Sequence, residues 1–132
     1  MNARRYRILV LASEEQLLID LQAVLENFGF DTTTTWDTAE AMQLARSRHF
    51  DLWLVGDHPP QVTGSEILRE LQCSRLSVPC LVLQSRCSAF SSEYFYSLGA
   101  SGVIPDGGAN DVGRSVQNYF MTRAAAAGRK AG

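Results

Sequence analysis

The sequence predicts a single α/β domain in which five β-strands alternate with five helices around a doubly wound, five-stranded parallel sheet. Short apolar or β-branched runs recur five times, and each precedes a segment suited to a helix. The run RILVLA (7–12) is too uniformly apolar for a half-exposed strand and suits a central parallel strand covered on both faces, and DLWLV (51–55) and CLVLQ (80–84) are further short apolar-rich runs. The 132 residues are enough for one domain with a real core.

RILVLA opens the sheet. Ser13 is placed to cap the first helix, with Gln16 three residues on as in a capping box. Leu17, Leu21, Val24, Leu25 and Phe28 then recur at helical spacing until Gly29 stops the helix. DTTTT (31–35) is a β-branched strand suited to a position nearer an edge. Asp37 and Glu40 start a second helix with a thin apolar face of Ala41, Met42 and Ala45. The third strand, DLWLV, stops at Gly56, and Pro59 with Pro60 forces a loop. Gly64 precedes a helix carrying Ile67, Leu68 and Leu71. Pro79 introduces the fourth strand, SSEYFYSL (91–98) is helical up to Gly99, and GVI (102–104) is a short fifth strand. Asn110 to about Phe120 forms the last helix, with Val112, Val116 and Phe120 on one face. The domain is assigned to residues 1–122. The low-complexity end, 123–132, is left as helix end, linker or flexible tail.

A formal net charge of −2 gives no electrostatic case for nucleic-acid or membrane binding by this domain. No apolar run reaches the roughly 18–20 residues of a membrane span, and MNARRYRILVLA lacks the long apolar region and cleavage site of a signal peptide. Cys73, Cys80 and Cys87 include no C-x-x-C pair and read as free thiols, so a reducing, cytoplasmic setting is expected and no metal cluster. In sheets of this kind chemistry sits at the carboxyl ends of the strands, here Ala12–Ser13, Gly56–Asp57, Gln84–Ser85 and Pro105–Asp106.

The blocks RILVLASEEQLL, FDLWLVGDHPPQVTGSEIL, VPCLVLQS and LGASGVIPDGG resemble a response-regulator receiver domain, the flavodoxin-like module of two-component signalling. The resemblance covers about residues 5–121 and implies the strand order 2-1-3-4-5. It also implies a phosphorylation site: an acceptor aspartate ending strand three, two acids after strand one that hold Mg²⁺ with it, a Ser or Thr ending strand four and a Lys ending strand five. Metal and lysine would offset the charge of the transferring phosphoryl group. In this chain those positions hold Ala12 and Ser13 for the acid pair, Gly56 for the acceptor, Gln84 for the hydroxyl and Asp106 for the lysine. Gly107 replaces the proline that normally follows the lysine. The resemblance therefore implies a degenerate pseudo-receiver: no catalytic residue, no enzyme activity, and loss of the family's Mg²⁺ site, so no cofactor.

Asp57, one residue past the acceptor position, is the alternative phosphoacceptor. Side chains alternate along a strand, so a shift of one sends the carboxylate to the other face unless a bulge at Gly56 restores it. Its bland reading is a loop acid. His49 and His58 read as surface histidines, and neither Ser13 nor Ser85 sits in a nucleophile elbow. A third reading is a flavin or small-ligand domain on the same scaffold, against which the two acids of ASEEQ count at a helix start that would otherwise cradle phosphate.

The segment CSAFSSEYFYSLGA (87–100) carries more rings than one helix can bury: Phe95 and Leu98 suit the core, leaving Phe90, Tyr94 and Tyr96. In the family the face of helix four, strand five and helix five makes partner and dimer contacts, and interface cores favour aromatic residues. Val103 falls where the family often places a switching aromatic. The expected partner is a protein, either a histidine kinase or another signalling protein, or a second copy through the helix-four to helix-five face.

Overall fold

The computed structural model describes residues 5–57, 64–74, 78–84, 92–105 and 107–131, with side chains described up to Arg123. Its elements are β1 (Arg7–Leu11), α1 (Glu15–Asn27), β2 (Asp31–Thr35), α2 (Thr38–Ser47), β3 (Leu52–Asp57), α3 (Gly64–Cys73), β4 (Cys80–Gln84), α4 (Ser92–Ser97), β5 (Gly102–Pro105) and α5 (Ala109–Ala131). The strands form one parallel sheet in the order β2-β1-β3-β4-β5, as expected. All of the described residues of β1, β3 and β4 are buried except Arg7 and Gln84 at their ends, which is why these runs are apolar throughout.

Strand alternation splits the core in two. Ile8, Val10, Leu52 and Leu54 face one way and pack with Leu18, Leu21 and Leu25 of α1 and Val112, Val116 and Phe120 of α5. Leu9, Leu11, Trp53 and Val55 face the other way, against Ala41 and Met42 of α2, Ile67, Leu68 and Leu71 of α3 and Phe95 of α4. Burying a Leu, Val or Phe side chain contributes about 1.5–3 kcal/mol, so these two layers are the main favourable term for the fold.

Helices α1 and α4 end alike. Gly29 and Gly99 lie at φ 93° and 101°, and the next residue's N–H returns to a carbonyl five residues back, Phe30 to Leu25 and Ala100 to Phe95. Both ends thus use a left-handed glycine to satisfy terminal carbonyls. At the amino ends of the strands Tyr6 stacks on Phe120 with ring centroids 4.1 Å apart, and Phe30 lies 5.4 Å from Phe120.

Four local expectations are corrected. The cap of α1 is Glu14, not Ser13, and it makes no side-chain cap bond, because Ala12 still donates its N–H to the Thr35 carbonyl and the helix begins one residue later. Leu18 is buried and Leu17 only half-buried, which rotates the apolar face of α1 slightly from the expected one. The second helix is capped by Asp37 as expected, its carboxylate accepting from Ala39 N–H at 3.2 Å. The rest of its capping box is relayed: Thr35 Oγ1 accepts the Asp37 N–H at 3.1 Å and donates to Glu40 Oε1. Finally, α5 does not stop near Phe120 but runs on to Ala131.

Candidate functional site

The carboxyl ends of β1, β3 and β4 gather Ala12, Gly56, Asp57 and Gln84. The third strand does not stop at Gly56. It continues one residue, Gly56 pairing with Leu83 and Asp57 with Gln84. β4 is long enough to supply both partners, so the ladder is continuous and holds no extra residue. The bulge that would return Asp57 to the acceptor position is absent from the pairing of β3 with β4.

Alternation then sets the directions. Gly56 continues the Leu52–Leu54 side, toward α1 and α5, where Ala12 is also buried. A Cβ built on Gly56 would stand 3.1 Å from the Ala12 Cβ and 3.8 Å from the Leu11 carbonyl oxygen. Asp57 continues the Trp53–Val55 side, toward α2, α3 and α4. It is 1% exposed and has an interaction partner. The expectation of a loop acid is thus corrected: Asp57 is the buried last residue of a strand.

The remaining positions follow. Ser13 is half-buried in the bend between β1 and α1. Gln84 is half-buried, and its Oε1 accepts from Ser92 Oγ at 3.3 Å, which ties the end of β4 to the start of α4. Asp106, Phe90, His58 and Ser85 lie outside the described residues. A Cβ on Gly107 would stand 3.2 Å from Asp111 Oδ2. Ala12 and Gly56 bring no oxygen donor to the acid-pair and acceptor positions. Among the described residues no three His, Cys, Asp or Glu side chains are grouped as metal ligands.

On the other candidate surface, Phe95 is fully buried and Leu98 packs against the same layer, as expected. Tyr94 is half-buried, and its hydroxyl accepts from Arg69 Nη2 of α3 at 3.2 Å. Tyr96 is 51% exposed, and Val103 is half-buried on β5, an edge of the sheet. The structure therefore leaves Tyr96 outward and draws Tyr94 toward α3. Sequence reasoning passed over Trp36, which is 71% exposed directly after β2. Its signal was a large ring between a threonine run and a polar helix start. Of the cysteines, Cys73 is exposed and Cys80 buried, and burial pushes the Cys80 thiol up to about 12.

Among solved structures, the chain superposes on a CheY-like response-regulator receiver domain protein from Methanospirillum hungatei with a TM-score of 0.78, at 18% identity over 92% of this chain and 98% of that one. The receiver domain of Francisella response regulator 1452 gives 0.77, at 18% identity over 90% and 99%. No protein-family model matches the chain. Among curated proteins it is 32% identical over 94 residues to the alkaline phosphatase synthesis transcriptional regulatory protein PhoP of Bacillus subtilis, covering 71% of this chain and 39% of that protein. It is 28% identical over 97 residues to the response regulator SaeR of Staphylococcus aureus, covering 73% and 42%. The chain thus spans about two fifths of the length of these relatives. In sequence and in fold, the chain is similar to the receiver domains of response regulators.

Proposed function

We propose that this receiver domain signals by protein contact and takes no phosphoryl group. One observation carries the reading: the acceptor position is Gly56, whose open side faces Ala12, while the only neighbouring acid on β3 is buried on the opposite face. Phosphotransfer to a carboxylate needs an accessible oxygen in line with the donor and cations to offset charge. Ala12 and Gly56 supply neither an acceptor oxygen nor a metal ligand. On this reading the domain uses no Mg²⁺ and is not an enzyme.

The contact surface is the edge formed by α4, β5 and α5, with the outward ring of Tyr96 on α4 and half-buried Val103 on β5. Aromatic rings of this kind are enriched in interface cores. The partner is a signalling protein, of which a histidine kinase is one class, and the setting is cytoplasmic. Among the described residues no helix is long and apolar enough to cross a membrane.

Amide chemical shifts recorded before and after adding MgCl₂ and acetyl phosphate test this. Unchanged shifts at Ala12, Gly56 and Gln84 are expected. Saturable shifts centred on these residues would show a working site and overturn the proposal.

A further inference from the structure

β2 is an edge of the sheet, and of the devices that usually guard such an edge its sequence, DTTTT, carries only the charge of Asp31 at one end. It holds no Lys, Pro or Gly, and its register with β1 runs through all five residues without a bulge. Asp31, its one charge, lies 3.7 Å from Arg7 of β1.

The hydrogen bonds to β1 say which backbone groups are left over. Asp31 N–H donates to the Tyr6 carbonyl, and the Thr35 carbonyl accepts from Ala12. Asp31, Thr33 and Thr35 therefore turn their backbone groups toward β1, and alternation turns the N–H and C=O of Thr32 and Thr34 outward. Two donors and two acceptors stand in a row, spaced as an antiparallel strand requires, those of half-buried Thr34 more open than those of Thr32, which is 6% exposed.

We propose that this edge pairs with the β2 edge of a second copy, antiparallel about a two-fold axis at Thr33. In that register Thr32 faces Thr34 of the other chain and Thr34 faces Thr32, so every outward group on both strands is bonded. The two sheets become one of ten strands, within the range of open twisted sheets. Asp31 falls opposite a threonine, so no like charges meet, and Thr–Thr neighbours are favourable cross-strand pairs.

The same register explains Trp36. Counting outward from Thr33, residue 36 of one chain comes opposite residue 30 of the other. There Phe30 and Tyr6 lie with ring centroids 6.4 Å apart, and Tyr6 is 41% exposed. Phe30 belongs to the α1–α5 side of the sheet, the side Trp36 would continue by strand parity. Pairing thus covers two of the largest exposed aromatic side chains with one another, twice over. A second copy fits because strand and rings are complementary to themselves under one rotation. The edge lies across the sheet from β5, so it is independent of the α4–β5–α5 surface.

Sedimentation equilibrium of the whole chain tests the proposal, with Thr34→Pro and Trp36→Ala beside it. Proline at 34 removes an outward N–H and leaves the ladder to β1 intact. A wild-type dimer is expected, with dissociation constants raised about tenfold or more in both variants. A wild-type monomer at high micromolar concentration overturns the proposal, as does a dimer unchanged in both variants. Should Thr34→Pro lose its native circular dichroism, Thr33→Cys decides the matter in a Cys73→Ser, Cys87→Ser background. Residues facing each other at the two-fold in a non-hydrogen-bonded pair have Cα atoms about 4.5 Å apart, within disulfide range. Mild oxidation should then give a covalent dimer through residue 33, and its absence in the folded protein overturns the register.

Discussion

Gly56 of β3 and Ala12, the residue just past β1, stand side by side, with 3.1 Å between the Ala12 Cβ and the point where a Cβ of Gly56 would lie. A side chain at 56 must therefore push against the end of β1. The position that the resemblance assigns to a phosphoacceptor is narrow here, and neither Gly56 nor Ala12 brings it a side-chain oxygen. Gly56→Asp alone is expected to restore no phosphotransfer, because Ala12 and Ser13 still lack carboxylates. Intact mass after incubation with Mg²⁺ and acetyl phosphate should show no adduct on this variant.

Asp57 is a structural carboxylate on this account. It is buried at the end of β3 and has an interaction partner. Removing one member of a buried polar contact costs about 1–3 kcal/mol, so Asp57→Ala should lose that much in urea denaturation while Asp57→Asn loses less. An Asp57→Ala protein as stable as the wild type would show that the acid is not needed for the fold.

Thr35 joins two elements through one hydroxyl, taking the Asp37 N–H and giving its proton to Glu40. It is 2% exposed. Thr35→Val keeps the shape and strand propensity but leaves a helix-start N–H without its acceptor. A loss of about 1–2 kcal/mol is expected, read as a shift of the denaturation midpoint with unchanged slope.

Gly113 lets α5 lie against α1. A Cβ there would come within 2.5 Å of Val24 Cγ1 and 2.8 Å of Phe28 Cε2. Gly113→Val should cost about 1–3 kcal/mol by overpacking, more than any gain from leaving glycine in a helix. Thermal unfolding by circular dichroism would show it.

Cys80 gives a pH prediction. Burial raises its folded-state pKa from 9.0 to about 12. The unfolded thiol ionises first, so this contribution is whole below about pH 9 and is lost as pH rises toward about 12. Stability should fall across that window, and less steeply in Cys80→Ala. At pH 8 a thiol reagent should modify exposed Cys73 and spare Cys80 in the folded protein.

The fold was legible because its signals are local and repeated. Uniform apolar runs marked β1, β3 and β4, and glycines 29 and 99 marked helix ends that the structure closes with left-handed turns. The changed site positions come from the resemblance, carried over residue by residue. What sequence could not give was set by neighbours in space. The end of β3 at Asp57 depends on the length of β4, and the shift of the cap to Glu14 depends on Ala12 bonding to β2. The role of Thr35 and the tie from Arg69 to Tyr94 both join separate elements, which periodicity does not register. Trp36 drew no attention because its exposure is a property of the folded edge.

The central claim is that this receiver domain takes no phosphoryl group, and intact-mass measurement after incubation with Mg²⁺ and acetyl phosphate tests it most directly. Asp57→Asn and a phosphorylatable receiver should be run in parallel. The account predicts an unmodified mass for the wild-type chain while the positive control gains a phosphoryl group. A phosphoryl adduct on the wild type that disappears in Asp57→Asn would contradict it, showing that the buried carboxylate reaches the donor after all.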